Sequence, residues 1–296
     1  MKGGLQTKEA ILYQKLDSGK IKCSVCNQNC TISEGKRGIC GVRENQEGKL
    51  CALNYGMTIA EHIDPIEKKP LYHFLPGTKT YSLASVGCNF RCAWCQNWEI
   101  AQSPKPNKPI EGIPITPKEH VRQALNFGCP SISYTYSEPT IFIEYALEIM
   151  KLARENGLKN IWVTNGYMSK EALELIIPYL DAANVDFKGP DDEIYEEYCA
   201  GKARVVMDNL KLLYEAGVHL EITTLVIPDV NDQPNQLEKI ARFIATQLSP
   251  DVPWHVSRFF PAWKMISTPI TPLKTLNIAK GIGQKAGLKY IYIGNV

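Results

Sequence analysis

The sequence predicts an α/β protein, a partial (β/α)6 TIM-like barrel preceded by a small cysteine-rich N-terminal appendage. Beyond about residue 80, helical runs end at glycine, and an apolar β-type run follows within a few residues. A glycine past a helix end supplies the left-handed C-cap, and a strand directly after it is the αβ half of a βαβ unit. Before that point the chain lacks this periodicity and is rich in cysteine, glycine and asparagine. The two parts are therefore expected at residues 1–75 and 76–296.

The barrel part repeats one strand–helix unit. Its helical runs end at Gly128, Gly157, Gly217 and Gly287. The expected strands lie near 81–86, 131–136, 160–164, 182–187, 220–227 and 253–259, with a last strand at 289–293. Two helices are expected to start at the pairs Thr116-Pro117 and Thr271-Pro272, where Thr caps the helix and Pro takes its first position. Six units and a last strand predict an incomplete barrel with its chemistry on the loops after the strand ends.

Four of the five cysteines of the appendage, Cys23, Cys26, Cys30 and Cys40, lie in a stretch with little helical or strand periodicity. Such a stretch buries little apolar surface and is expected to need a metal to fold. Four thiolates suit tetrahedral zinc or a second, fully ligated iron–sulfur cluster, and Cys51 could replace one of the four. Free thiols are the alternative.

Two connections are marked by proline. Asp64–Pro70 is expected to be an extended, turn-rich link between the appendage and the barrel. Ser103–Pro109 is expected to be a proline-rich surface linker that leads into the first long helix.

Composition and charge argue against nucleic acid and membranes as binding partners. With 33 basic and 31 acidic residues, the formal charge of +2 predicts no binding to nucleic acid or to an anionic membrane. The sequence has neither a membrane-spanning apolar stretch nor a signal-peptide pattern, so a cytoplasmic location is expected. In that reducing compartment the ten cysteines are expected to be metal ligands and free thiols, not disulfides.

Three further cysteines, Cys88, Cys92 and Cys95, fall in one short loop after the first barrel strand. Closely spaced thiolates select zinc, copper(I) or an iron–sulfur cluster. A structural zinc site needs a fourth ligand, and the next cysteine, Cys129, lies far downstream. A [4Fe–4S] cube held by three thiolates would leave one iron open to another ligand. Buried thiols, or a disulfide with one cysteine left over, are the alternative.

The loop pattern Cys-x3-Cys-x-aromatic-Cys resembles the signature of the radical S-adenosylmethionine (SAM) enzymes, with Trp94 as the aromatic residue. The resemblance implies that SAM chelates the open iron of a [4Fe–4S] cluster. Reductive cleavage of SAM would then give a 5'-deoxyadenosyl radical that abstracts a substrate hydrogen. It also implies that Trp94 packs beside the adenine, although loop packing alone would explain this side chain, and it implies an electron donor such as flavodoxin or ferredoxin.

The resemblance extends to the other strand ends. Radical SAM enzymes often carry Gly-Gly-Glu after the second strand, with the acid accepting the SAM amino group; here Tyr136-Ser137-Glu138 stands in that place. The alternation of strand four places Asp186 and Lys188 on one face. There Lys188 would take a carboxylate and Asp186 a hydroxyl or amine, unless the two form a plain ion pair.

Thr164-Asn165-Gly166 resembles an element of the glycyl-radical-enzyme activating enzymes that lines the SAM site, with Val163 where relatives commonly have Asp. His255 could contact SAM or substrate, although a single His in an apolar strand is more often structural. The side chains assigned to cofactor binding are Trp94, Ser137, Glu138, Thr164, Asn165, Asp186, Lys188 and His255. No residue is assigned to the substrate radical.

Stretches along the whole chain, including CSVCNQNC, HIDPIEKKPLYHFLPGT, CNFRCAWC, VTNGYM and VDFKG, resemble the radical SAM enzyme of the AmmeMemoRadiSam system. That family is also catalogued as pyruvate formate-lyase activating enzyme-like. The resemblance implies an oxidoreductase that installs a glycyl radical in a partner enzyme. Radical modification of a different protein or of a small molecule is one alternative, and a non-catalytic zinc-binding interaction protein is another.

Overall fold

The computed structural model describes residues 7–104 and 108–296, and part of the predicted linker at 103–109 lies outside the described residues. The strands are β1 (Lys8–Glu9), β2 (Tyr13–Lys15), β3 (Ile21–Cys23), β4 (Thr31–Ile32), β5 (Arg43–Gln46), β6 (Lys49–Ala52), β7 (Met57–Thr58), β8 (Ala60–Pro65), β9 (Lys79–Ala84), β10 (Ile113–Pro114), β11 (Ser131–Tyr134), β12 (Lys159–Thr164), β13 (Ala182–Asp186), β14 (His219–Val226), β15 (Trp254–Arg258) and β16 (Ile291–Gly294). The α-helices are α1 (Trp98–Ala101), α2 (Pro117–Asn126), α3 (Ile143–Glu155), α4 (Lys170–Ile176), α5 (Asp192–Tyr198), α6 (Ala203–Glu215), α7 (Pro234–Phe243) and α8 (Leu273–Lys285).

One large sheet carries the fold. Its strand order is β16-β15-β14-β13-β12-β11-β9-β8, and neighbours from β9 to β16 pair in parallel. Helices pack on the strands that they connect, for example α3 on β11 and β12. The predicted partial TIM-like barrel is confirmed, and all seven predicted parallel strands are present.

Local sequence signals explain most helix boundaries. Gly157 and Gly217, each just past a helix end, have φ of +75°, as the predicted left-handed C-caps require. Thr116 caps α2 as predicted, because its side chain accepts from the backbone N–H of Glu119. The prediction for Thr271 is wrong: α8 starts at Leu273, and Thr271 does not cap it. The Thr271 hydroxyl is already used, since it donates to the Val226 carbonyl at 2.6 Å.

The interior of the barrel is filled by residues 66–74. Side chains at alternate positions of a strand share a face, so Asn184 and Asp186 of β13 point to the same side. The Asn184 side chain donates to the Pro70 carbonyl at 2.8 Å, and Leu71 packs against Ile161 and Ala182. These contacts place the segment on the same side of the sheet as Asp186.

The N-terminal part forms two small antiparallel sheets, β1-β6-β5 and β2-β3-β4. The predicted boundary between residues 75 and 76 stays a prediction. Strand β8, on the N-terminal side of that boundary, pairs antiparallel with β9 and belongs to the large sheet. No helix in the part of the chain that the structure describes is long and apolar enough to cross a membrane.

A buried ion pair joins the N-terminal sheets to the barrel. The guanidinium of Arg43, on β5, donates to both carboxylate oxygens of Glu144, on α3, at 2.9 and 2.7 Å. The backbone N–H of Ile11 donates to the same carboxylate at 2.9 Å. Both charged side chains are nearly inaccessible to solvent. A bidentate pair of this kind fixes the orientation of the two elements.

We predict that Arg43→Met lowers the free energy of unfolding by about 3–5 kcal/mol, because it leaves the buried carboxylate of Glu144 without its countercharge. The matched control is Arg122→Met, which breaks the exposed pair with Glu119 and should have a much smaller effect. Urea denaturation of both variants measures the difference. Equal losses would contradict the prediction that the buried pair contributes more to stability than the exposed one.

Candidate active site

A cavity of about 500 Å³ lies at the carboxyl ends of the parallel strands. Cys88, Cys92 and Cys95, from the loop between β9 and α1, line one wall. Polar side chains from the ends of β11, β12 and β13 line another. Because parallel strands bring these ends to one edge of the sheet, residues far apart in sequence meet here.

The first residue of the loop with the three cysteines, residues 87–97, must be glycine for two reasons. Gly87 has φ of +104°, and a Cβ at this position would lie 2.8 Å from the Cys40 carbonyl oxygen and 2.9 Å from Val42. Only glycine meets both requirements without movement of its neighbours. The cysteine loop therefore lies in direct contact with the N-terminal part of the chain.

Hydrogen bonds with two further parts of the chain, residues 198–199 and Gln28, also hold this loop. The N–H of Arg91 donates to the Cys199 carbonyl at 2.8 Å, and the N–H of Ala93 donates to the Tyr198 carbonyl at 2.9 Å. The side chain of Gln28, between Cys26 and Cys30, donates to the Asn89 carbonyl at 2.9 Å. The positions of the three thiols are thus set by the surrounding chain.

Glu138 lies at the centre of the strand-end polar groups and is only 3% exposed. Its Oε1 accepts from the backbone N–H and hydroxyl of Thr140, at 3.1 and 2.6 Å, and from the Thr164 hydroxyl at 2.7 Å. Its Oε2 accepts from the N–H of Asn165 at 2.8 Å. Burial raises the pKa of Glu138, and these hydrogen bonds oppose that effect. A carboxylate oxygen has two lone pairs, so Oε2 can accept one more donor.

Asn165 connects this carboxylate to the cysteine loop. Its amide Nδ2 donates to Asn89 Oδ1 at 2.7 Å and lies 3.8 Å from Cys88 Sγ. Its Oδ1 accepts from the N–H of Tyr167 at 3.0 Å, which fixes the amide orientation. Asn165 therefore contacts the Glu138 carboxylate through its backbone N–H and the loop that carries Cys88 through its side chain.

Asp186 and Lys188 both line the cavity, as strand alternation predicts, with Lys188 Nζ 2.9 Å from Asp186 Oδ2. Burial acts to lower the pKa of Lys188, but the charges of Asp186 and Cys92 raise it well above its usual value. The ion pair with Asp186 thus favours the charged form of Lys188. Of the other predicted residues, Trp94 and Ser137 line the same cavity, with Trp94 buried and 5.8 Å from the Tyr198 ring.

The structure does not bring His255 to the cavity. Its Nε2 lies 2.6 Å from Glu221 Oε2, and its ring stacks on Tyr292. Glu221 also accepts from the backbone N–H groups of Tyr72 and His73, at 3.1 and 2.8 Å. Burial acts to raise the pKa of Glu221, but its hydrogen bonds with His219 and His255 lower it to about 2. His255 thus helps to hold the segment that fills the barrel.

The four N-terminal cysteines affect one another electrostatically. Burial raises the pKa of Cys26, and the charges of Cys40, Cys23 and Cys30 raise it further. Burial raises the pKa of Cys51 as well, but the charges that raise it further are those of Glu9 and Glu44. Within residues 7–104 and 108–296, no three His, Cys, Asp or Glu side chains form a group that could hold a metal ion. This finding applies equally to the N-terminal set and to Cys88, Cys92 and Cys95.

Several cavity residues were missed by the sequence analysis. Lys68, Lys69, Tyr136 and Asn97 line the cavity, and Cys199 lies beside Cys92, where its hydrogen bond lowers the pKa of Cys92. A signal existed for Tyr136, which occupies a place where radical SAM enzymes often have glycine. The lysines lie in the segment that fills the barrel, and no local pattern places that segment at the strand ends.

The donor set fits a [4Fe–4S] cluster. The thiols of Cys88, Cys92 and Cys95 line one cavity, and thiolate is the ligand type that iron–sulfur clusters use. Soft thiolates in this number are ligands for a cube with one iron left open. The remaining walls carry hydrogen-bonding and charged groups suited to a polar ligand of that iron.

A partial barrel with three cysteines in the loop after its first parallel strand defines the class of radical SAM enzymes. The model of the radical SAM superfamily matches residues 83–244, and the chain belongs to that superfamily. Membership implies an enzyme that uses a [4Fe–4S] cluster and SAM.

Comparisons with individual proteins are consistent with membership of this superfamily. An uncharacterized protein of Methanocaldococcus jannaschii is 44% identical over 289 residues, which cover 98% of this chain and 85% of that protein. The pyruvate formate-lyase-activating enzyme of Clostridium pasteurianum is 26% identical over 178 residues, 57% of this chain and 70% of that enzyme. Streptococcus suis SuiB, solved with SAM bound, matches with a TM-score of 0.56 and 15% identity over 72% of this chain and 49% of that one. At 15% identity, the match to SuiB shows a shared fold and nothing more.

We predict that Gly87→Ala reduces the iron bound after anaerobic reconstitution to less than half the wild-type amount, because the new methyl group displaces the cysteine loop from the Cys40 carbonyl. The control is Gly77→Ala: Gly77 has φ of +77° but open space around it. That variant should cost about 1–2 kcal/mol of backbone strain and keep its iron. Iron content and the unfolding midpoint are measured for both. Full iron binding by Gly87→Ala would contradict the proposed role of this contact.

Proposed function

We propose that Cys88, Cys92 and Cys95 hold a [4Fe–4S] cluster and that the enzyme is of the activating-enzyme type. The observation that carries the proposal is the convergence of these three thiols and the polar groups at the ends of β11, β12 and β13 on one cavity. When bound and reduced by one electron, the cluster and SAM supply a 5'-deoxyadenosyl radical for hydrogen abstraction.

The residues of the chain would bind and orient SAM around that chemistry. Lys188, a cation fixed by Asp186, suits the SAM carboxylate. The free lone pair of Glu138 Oε2 suits the SAM amino group, with Thr164 and Asn165 holding the carboxylate in place. Asp186 keeps an oxygen for a hydroxyl or amine, and Trp94 supplies an apolar face for the adenine. Ser137 donates its hydroxyl to the Ser85 carbonyl at 2.5 Å and so fixes the turn before Glu138.

The activating-enzyme type is supported by named relatives. Besides the pyruvate formate-lyase-activating enzyme, a (2S)-3-sulfopropanediol dehydratase activating enzyme of Klebsiella oxytoca is 25% identical over 117 residues. By this analogy the substrate would be a partner enzyme that receives a glycyl radical. An electron donor such as flavodoxin or ferredoxin would supply the reducing electron.

A second metal site in the N-terminal part is also proposed. It is supported by the close spacing of Cys23, Cys26, Cys30 and Cys40 in the sequence, by the burial of three of them, and by the hydrogen bond from the Cys23 N–H to the Cys30 carbonyl at 2.9 Å. Either zinc or a second iron–sulfur cluster would suit four thiolates. The contact of Gln28 with the cysteine loop would couple this site to the first cluster.

The radical chemistry is tested by incubating anaerobically reconstituted protein with SAM and dithionite. We expect 5'-deoxyadenosine to form, and we expect Cys88→Ala to reduce its rate by at least a hundredfold because one cluster ligand is lost. Cys129→Ala, which removes a buried thiol distant in sequence from the loop, is the matched control. Nucleoside formation by Cys88→Ala at the wild-type rate would refute the cluster assignment, as would no formation by the wild type.

The N-terminal metal is tested in a background that cannot hold the first cluster. A variant with Cys88, Cys92 and Cys95 all changed to Ala should still contain zinc or iron by elemental analysis. Adding Cys26→Ala should abolish that residual metal, and adding Cys129→Ala should not. A metal-free background variant would refute the second site.

A further inference from the structure

A buried lysine in the cavity wall has no role in the SAM binding proposed above. Lys69 is 2% exposed and lines the cavity together with the cluster cysteines. Its Nζ donates to Asp64 Oδ2 at 2.6 Å and to the Tyr136 hydroxyl at 3.3 Å, and it lies 4.4 Å from the centre of the Tyr136 ring. An ammonium has three N–H groups. The third finds no further acceptor in residues 7–104 and 108–296.

This corner of the cavity carries a positive charge in excess. Asp64 also accepts from Lys68 Nζ at 2.8 Å, so two ammonium groups share one carboxylate. The other cavity lysine, Lys188, is balanced by Asp186. Burial lowers the pKa of Lys69 to about 8, against the opposing effect of Asp64, and the side chain therefore remains charged at pH 7.

Tyr136 is held in a strained conformation that brings its hydroxyl to this corner. Its φ is +63°, which is unfavourable for a bulky residue. Asn97, two residues after Cys95, fixes it by donating from Nδ2 to the Tyr136 carbonyl at 2.8 Å, and the Tyr136 hydroxyl donates to Asp64. Strain of this kind persists where the surroundings enforce it, and it is concentrated at functional sites.

We propose that Lys69, positioned by Asp64 and Tyr136, binds a carboxylate group of the substrate through its remaining N–H, and thereby holds the substrate in the cavity that contains the cluster cysteines. This inference rests on the proposed function, since it assigns a substrate group to the part of the cavity that takes no part in the proposed SAM binding. A single excess positive charge and one free N–H match a monoanionic carboxylate. The carboxylate could belong to a small molecule or to an acidic side chain of a peptide.

The test measures binding of two acids and their neutral amides to the reconstituted full chain with SAM present. The small-molecule pair is butyrate and butyramide, and the peptide pair is acetyl-Gly-Glu-Gly-amide and acetyl-Gly-Gln-Gly-amide. Calorimetry is performed on the wild type, on Lys69→Gln and on the matched control Lys289→Gln, which loses an exposed lysine paired with Asp251 and absent from the cavity lining. SAM affinity is measured for each protein.

We expect at least one acid to bind at least about tenfold more tightly than its amide, as a charge-assisted hydrogen bond allows. Lys69→Gln should abolish that preference, Lys289→Gln should keep it, and SAM affinity should change by less than about threefold in both. The acid that is preferred identifies the small molecule or the peptide as the source of the carboxylate.

Three results would overturn the inference: neither acid preferred over its amide, a preference that survives in Lys69→Gln, or an equal loss of SAM affinity in that variant. Tyr136→Phe keeps the ring and removes the hydroxyl, so it tests the same site if Lys69→Gln does not fold. It should weaken binding of the preferred acid at least about threefold, and unchanged binding would also overturn the inference. Formation of 5'-deoxyadenosine by the wild type is measured separately, so that its absence refutes the radical chemistry and not the carboxylate site alone.

Discussion

The geometry of the site depends on one buried carboxylate. Glu138 is removed from water and receives four hydrogen bonds, from Thr140, Thr164 and Asn165. A buried charge is tolerated only when its hydrogen-bonding capacity is met, so these donors must stay in place. They belong to the end of β12 and to the first turn after Glu138 itself. The carboxylate therefore fixes two neighbouring strand ends relative to each other, and Asn165 extends that constraint to the cysteine loop through Asn89.

A second buried carboxylate performs a similar task deeper in the barrel. Glu221 binds the backbone of Tyr72 and His73 and the side chain of His255, and it holds residues 66–74 inside the sheet. That segment carries Lys68 and Lys69 to the cavity. Glu138 thus positions the wall proposed for SAM, and Glu221 supports the wall proposed for the substrate. The two walls of the cavity therefore have separate buried carboxylates as supports.

Much of this arrangement could be predicted from local sequence. Glycine C-caps marked the αβ junctions, and the cysteine spacing pointed to the radical SAM superfamily, because both features are short-range and chemically specific. Alternation along β13 correctly paired Asp186 with Lys188. What failed depends on the tertiary fold. Thr271 carries the signal of a helix cap, but its hydroxyl bonds to Val226 on a strand distant in sequence. The structure pairs His255 with Glu221 and does not place it in the cavity lining, and its contact with SAM or substrate stays a prediction. The position of Lys69 follows from the path of a segment that has no periodicity.

The central claim is that this cavity brings SAM into contact with a cluster held by Cys88, Cys92 and Cys95. Electron paramagnetic resonance of the dithionite-reduced, reconstituted protein tests it most directly, because the spectrum of a reduced [4Fe–4S] cluster responds to a ligand on its open iron. To remove any signal from a second cluster, the N-terminal change Cys26→Ala is included. We predict a cluster signal whose g values shift when SAM is added. A signal that SAM leaves unchanged, or no cluster signal at all, would contradict the account.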